Sequence, residues 1–266
     1  MILSFPFLTA SFDSDARAFV NTSGATDRAA INYFVKGIKR LGLWSSMVCW
    51  PLRSTQNAGT GSTAYSLGGL GTYNGTLING PTWGADGVTF ASASSQRIDI
   101  STSLVFSPTT VPWNVMAVQN QTTAVASATS FGRGNVVNSE RSWLAGGVNV
   151  GTAATFLVSD GAATSSVVSS NYSLNTFAVL QGFSENDFIR LNVNDSAFVT
   201  ATARTPDQAT DQTLRIGAVV TTPSGLSSRY FNGKIPFTLF GNSASANSTA
   251  LYNLYKSTLG QGLGLP

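Results

Sequence analysis

The run Y-N-G-T-L-I-N-G-P-T-W-G-A-D-G-V-T-F, from Tyr73 to Phe90, carries three turn dipeptides: Asn74-Gly75, Asn79-Gly80 and Asp86-Gly87. Each supplies backbone that tolerates positive φ. Leu77, Ile78, Trp83, Val88 and Phe90 lie between them and supply apolar side chains for a core. The spacing predicts scaffold, the first hairpin region of a β-sandwich, in place of a ligand loop.

Downstream of this run the hydrophobic period is two. In R-I-D-I, Ile98 and Ile100 share a face; in D-F-I-R-L-N-V-N-D, Ile189, Leu191 and Val193 alternate with Arg190, Asn192 and Asn194. That is the pattern of a half-buried strand. Further strands are expected at 113–118, 155–158, 176–180, 213–219 and 234–240, with a long exposed loop from Gln121 to Ser130. Turn-forming clusters between them fit an all-β sandwich.

Upstream the period is helical. Ile31, Phe34, Val35, Ile38 and Leu41 make one apolar stripe, with Thr26 placed to cap its start and Gly42 its end. A shorter helix in D-S-D-A-R-A-F-V precedes it, broken at Ser23-Gly24, and a closing helix carries Leu251, Leu254, Tyr255 and Thr258 or Leu259 before Gly260. The expected division is 1–45, an arm with helices, and 46–266, a sandwich with a C-terminal helix.

Composition narrows the chemistry. Charged residues are 10% of the 266, and the formal charge is +3, against roughly 25% charged in an ordinary soluble domain. Nucleic-acid binding needs clustered cations; the best cluster, Lys36, Lys39 and Arg40, reads instead as the last turn of a helix, where the macrodipole favours it. Without histidine there is no His-based triad and no usual zinc site. The single cysteine, Cys49, lies between Val48 and Trp50 and reads as buried and inert. The opening I-L-S-F-P-F-L-T-A lacks a preceding basic residue and is broken by Pro6, so it meets few requirements of a secretory signal. No run reaches the ~18 apolar residues of a membrane span. The expectation is a soluble chain made in a cytoplasm.

Taken in order, Y-N-G-T-L-I-N-G-P-T-W-G-A-D-G-V-T-F, Q-R-I-D-I, F-I-R-L-N-V-N-D-S, L-R-I-G-A and R-Y-F-N-G-K-I-P-F-T-L-F resemble the concanavalin A-like (laminin-G-like) jelly roll, over about Trp50 to Leu259. The front segment, A-R-A-F-V-N-T-S-G-A-T-D-R-A-A-I-N-Y-F-V-K-G-I-K-R-L-G-L-W into M-V-C-W-P-L-R-S, is similar to the leader of such jelly rolls in tailed-bacteriophage and prophage structural proteins. The resemblance implies an all-β, concanavalin A-like jelly-roll β-sandwich with an N-terminal helical appendage and a short C-terminal helix. It further implies a non-enzymatic virion component, of head or tail, synthesised in the host cytoplasm, self-associating and contacting other virion proteins. The alternative on the same fold is a carbohydrate-binding adhesion module for host surface glycans.

Glycanases on this fold resemble enzymes with E-x-D-x-E along one strand face, one acid donating a proton while another attacks. Glu185-Asn186-Asp187 is the nearest approach, lacks the third acid, and reads as a hairpin turn; no catalytic residue is expected. Calcium wants six to eight oxygens; Asp160, Asp195, Asn192 and Asn194 could donate, but such pairs usually serve turns, and no cofactor or metal is predicted. Gly68 to Gly71 lacks the lysine and helix of a phosphate loop and reads as a mobile connection. An aromatic platform for sugar could come from Trp143, Tyr172 or Tyr230, read as loop residues, each of which could equally be core or rim, with the core favoured for Trp because its large area is usually buried. For docking onto neighbouring subunits, Ile2, Leu3, Phe5, Phe7 and Phe12 form an apolar arm that needs burial; the alternative is that it folds back on its own sandwich.

Overall fold

In the computed structural model, which describes residues 11–100, 112–125, 128–134, 140–148, 153–160, 164–185, 188–202, 214–219 and 229–266, two helices lead into a two-sheet sandwich. The elements in chain order begin with α1 (Ser14–Ser23), α2 (Arg28–Arg40), β1 (Met47–Pro51), β2 (Thr63–Ala64), β3 (Gly75–Ile78), β4 (Val88–Phe90) and β5 (Arg97–Ile100). There follow β6 (Trp113–Gln121), β7 (Thr129–Gly134), β8 (Glu140–Val148), β9 (Ala153–Asp160), β10 (Thr164–Ser169) and β11 (Ala178–Glu185). The chain ends with β12 (Phe188–Val193), β13 (Val199–Thr202), β14 (Leu214–Ile216), β15 (Gly233–Gly241) and α3 (Ser248–Ser257).

Both leading helices start at an aspartate. Asp13 accepts from the Asp15 and Ala16 amides, and Asp27 from Ala30, a carboxylate at each positive helix end. Thr26 is therefore not the cap: its own amide, with that of Asp27, is taken by the Thr55 carbonyl, which fixes the helix start against the 53–57 turn. The α2 stripe is buried at Ile31, Phe34, Val35 and Ile38 and half-buried at Leu41.

The pairings are antiparallel. A seven-stranded sheet runs β1-β15-β6-β11-β12-β13, with β4 also on β15; an eight-stranded sheet runs β10-β9-β8-β7-β14-β5-β3-β2. Between the sheets lies one core, with Trp50, Phe90, Phe131, Phe156, Leu180 and Leu191 in it. On the outer face of the seven-stranded sheet lies a second, where Met116, Val118, Val179 and Phe237 pack under α1, α2 and α3. Strands β6 and β11 are covered on both faces, which is why they are buried along nearly their whole length, polar residues such as Asn114, Gln119 and Gln181 included. A jelly-roll-like β-sandwich with leading helices and a closing helix is the observed architecture.

The Tyr73–Phe90 run is not one hairpin. β3 pairs β5, with Leu77 opposite Ile98, whereas β4 pairs β15, with Val88 opposite Ile235, so the connection crosses from one sheet to the other. Leu77, Val88 and Phe90 enter the core; Ile78 and Trp83 are half-buried. Asn79 and Gly80 do take positive φ, but Gly75 lies within β3 with Ile98 and Ile100 above it. Gly87 marks a close backbone approach: at φ +121°, a β-carbon there would stand 2.6 Å from the Pro236 nitrogen. Pro236 in turn sits at the β15 bulge between Lys234 and Phe237, where a residue without an N–H is tolerated.

Other boundaries shift. The strand expected at 176–180 is Ala178–Glu185, and that at 213–219 shortens to Leu214–Ile216. The loop from Gln121 to Ser130 is shorter than expected, because Gln121 closes β6 and Thr129 and Ser130 are buried in β7. Gly68 to Gly71 is pinned, not mobile: Gly69 donates to the Trp44 carbonyl and Leu70 to Met47. Cys49 is fully buried, with Sγ 3.2 Å from the Leu67 carbonyl, and burial pushes its thiol well above the ordinary range.

Candidate functional site

Between α1, the turn at Trp44 and the 65–74 segment lies a groove of about 260 Å³. Trp44 and Tyr65, both half-buried, flank it, and Asp15, Thr22, Thr72 and Asn74 bring polar groups to it. The groove walls are held rigidly. Asn57 accepts from the Tyr65 amide and donates to the Tyr65 and Pro51 carbonyls, clamping that residue. Asn74 Oδ1 accepts from the Ser66 amide, and Ser66 Oγ accepts from the Tyr73 amide. Asn74 is thus oriented by its oxygen, and its Nδ2 makes no hydrogen bond among the described residues.

The Trp44 side is fixed electrostatically. Lys39 Nζ stands 5.2 Å from the ring centroid and bridges Asp13 at 2.8 Å and Asp15 at 2.6 Å. Burial alone would push the Asp13 carboxyl up, but Lys39 and the Asp15 and Ala16 amides together hold it below its ordinary value. By the same balance, burial lowers Lys39 and its two carboxylate partners more than offset that, so the cation is kept. A planar aromatic beside oriented amide and hydroxyl groups can stack on a sugar ring face while bonding its hydroxyls.

Of the residues expected to form a sugar platform, Tyr172 is not free to join one. Tyr172 is 2% exposed and lies in the core; its hydroxyl accepts from Gln119 Nε2, and burial raises it to about 12. Trp143 is on strand β8, not in a loop, at the register position opposite Gly132 and Leu157. Tyr230 is half-buried in the segment leading to β15. Phe12 is half-buried. It packs on the helical core with the guanidinium of Arg28 5.4 Å and that of Arg17 6.0 Å from its ring. Ile2, Leu3, Phe5 and Phe7 lie outside the described residues.

Glu185 and Asp195 are engaged structurally, whereas Asn186 and Asp187 lie outside the described residues. Glu185 and Phe188 pair across the β11–β12 turn, and Glu185 accepts from the Ser245 amide and pairs with Arg190 at 3.3 Å. Asn194 and Asp195 take positive φ in the turn after β12; Asn194 accepts from the Val179 amide and Asp195 from Thr249. Asn192 donates to the Ser196 carbonyl. Among the described residues no group of three His, Cys, Asp or Glu is placed to hold a metal, and no helix is long and apolar enough to cross a membrane.

The sequence reading passed over Trp44 and Tyr65. Trp44 stood at the end of the helical leader and Asn74 inside a turn signal, and only the clustering of Tyr65 and Tyr73 around the Gly68–Gly71 segment pointed to this place.

No protein-family model matches the chain, and neither does the sequence of any curated protein. Solved structures do. The botulinum neurotoxin serotype D binding domain superposes with a TM-score of 0.54 at 9% identity, over 82% of this chain and 52% of that one. The chain therefore spans about half of that toxin domain. The CBM40 of a Ruminococcus gnavus sialidase bound to α2,3-sialyllactose gives 0.47 at 12% identity, covering 55% of this chain and 84% of that one. Domain 4 of the arabinanase AbnA from Geobacillus stearothermophilus, in complex with arabinotriose, gives 0.46 at 14%, covering 78% and 87%. What the toxin domain shares is the fold.

Proposed function

We propose that the chain is a non-catalytic carbohydrate-binding module that holds surface glycans in the Trp44–Tyr65 groove. One observation carries this: two aromatic side chains and the oriented Asn74 amide face one groove on segments locked by backbone hydrogen bonds. The binding role accords with the β-sandwich shared with a toxin binding domain, although fold alone does not choose a ligand. A virion location, virion proteins as neighbours and self-association remain proposals carried by the sequence resemblance.

The test is a panel of neutral and acidic oligosaccharides presented to the full chain, with Trp44→Ala and Tyr65→Ala beside it. Saturable binding that weakens about tenfold in either variant, the size expected from losing one stacking contact, supports the groove. Absence of saturable binding to any glycan, or binding untouched by both substitutions, sinks it.

A further inference from the structure

Of the chain's few charged residues, three stand side by side on the face of the eight-stranded sheet that turns away from the shared core. Ile98, Ile100, Leu214 and Ile216 point inward, which leaves Arg97, Asp99 and Arg215 on the outer face. Both arginines donate through Nε to the same oxygen, Asp99 Oδ1, each at 2.9 Å. One guanidinium would suffice to tie β5 to β14, since Asp99 and Arg215 are already opposite each other in register. The second leaves the cluster with a net positive charge. It is unevenly satisfied: Arg215, with 14% of its side chain exposed, has a shielded Nη1 that finds no acceptor, and Arg97 Nη1 reaches only the Ser95 carbonyl, at 3.5 Å.

From this geometry we propose that Arg97 and Arg215 form a second ligand site, for the carboxylate or sulfate oxygens of an acidic polysaccharide. Asp99 holds the two guanidinium groups by their Nε atoms and Arg215 Nη1 is enclosed, so the Nη2 ends are the ones left to receive an oxyanion, for which planar, forked donors are suited. The register continues from Arg215 to Gly132, which contributes no side chain, and then to Trp143. The surrounding strand positions are Thr76 and Thr63, hydroxyl-bearing and uncharged. Among the described residues, no carboxylate in this row other than Asp99 competes for the arginines.

The experiment measures binding of the full chain to polygalacturonate, dextran sulfate and unmodified dextran at low and high salt. Expected is saturable, salt-sensitive binding to one or both acidic polymers, weakened about tenfold by Arg215→Gln and by Arg97→Gln and unchanged by Lys234→Gln, which removes a cation from the other sheet. Preference for polygalacturonate assigns the site to carboxylates, preference for dextran sulfate to sulfates. Thermal melts confirm that the variants are folded, and Arg97→Gln serves where Arg215→Gln is not. Acidic polymers bound no better than dextran, or bound equally by folded arginine variants, overturn the proposal. Binding of the acidic polymers that is lost in Trp44→Ala and kept in both folded arginine variants would leave the groove standing and this site refuted.

Discussion

Replacing Phe34 with alanine tests whether the helical layer and the sandwich are one cooperative unit. Phe34 is 1% exposed, and its ring meets Phe237 of β15 edge-on with centroids 5.6 Å apart. Phe237 in turn lies 4.7 Å from the Tyr255 ring of α3. The substitution removes the ring from the junction of two helices and a central strand, where the rigid sheet cannot collapse into the space. Such Phe→Ala changes cost about 3–5 kcal/mol, a large part of the ~5–15 kcal/mol that holds a domain folded. At ~2–4 °C per kcal/mol for a chain of this size, the melting temperature should fall by roughly 6–20 °C. Urea unfolding would be followed by fluorescence of a Trp44→Phe background, in which Trp50, Trp83, Trp113 and Trp143 of the sandwich remain, and by far-ultraviolet circular dichroism, which reports the helices. One coincident transition shifted to lower urea is expected. An unshifted fluorescence transition beside a separate early loss of helix would refute the reasoning and favour the proposed division at 45/46.

Two further outcomes follow from backbone and burial. Gly87→Ala should destabilise by on the order of 2 kcal/mol or more, and by more than Gly80→Ala. Both positions have positive φ, but only at Gly87 would the added carbon meet β15 backbone, whereas nothing lies within 4 Å at Gly80; equal midpoints in denaturant would contradict this. Tyr172, raised to about 12, keeps its proton in the fold beyond the pH at which the unfolded chain loses it. Stability is therefore complete below about pH 10 and is lost between about 10 and 12, by on the order of 2–3 kcal/mol. In Tyr172→Phe that part of the alkaline slope should disappear, while the Gln119 amide, left unpaired, lowers stability at neutral pH by about 1 kcal/mol or more. An unchanged alkaline slope in the variant would assign the effect elsewhere.

The candidate site was far less legible than the scaffold. Tyr172 looked like a loop aromatic because it stands among Ser and Asn, yet it fills the core and pairs with Gln119. Trp44 looked like the end of a helix, yet Lys39 and Gly69 frame it as one wall of a groove. Asp99 and Arg215 are over a hundred residues apart, so their meeting depends on strand order, which no local pattern encodes.

By itself, the sequence determined the fold class, the helical stripe of Ile31, Phe34, Val35 and Ile38, and the alternating cores of β5 and β12. Those are local properties, set by side-chain period and by turn residues that tolerate positive φ. Tertiary structure decided where the strands went. The Tyr73–Phe90 run contains two strands, as its spacing predicted, but places them in opposite sheets, because the pairing of Leu77 with Ile98 and of Val88 with Ile235 is chosen by partners far along the chain. It also decided which sheet the helices cover, and so which face carries Arg97, Asp99 and Arg215 away from the core. Period reports that a face is apolar; only packing decides what buries it.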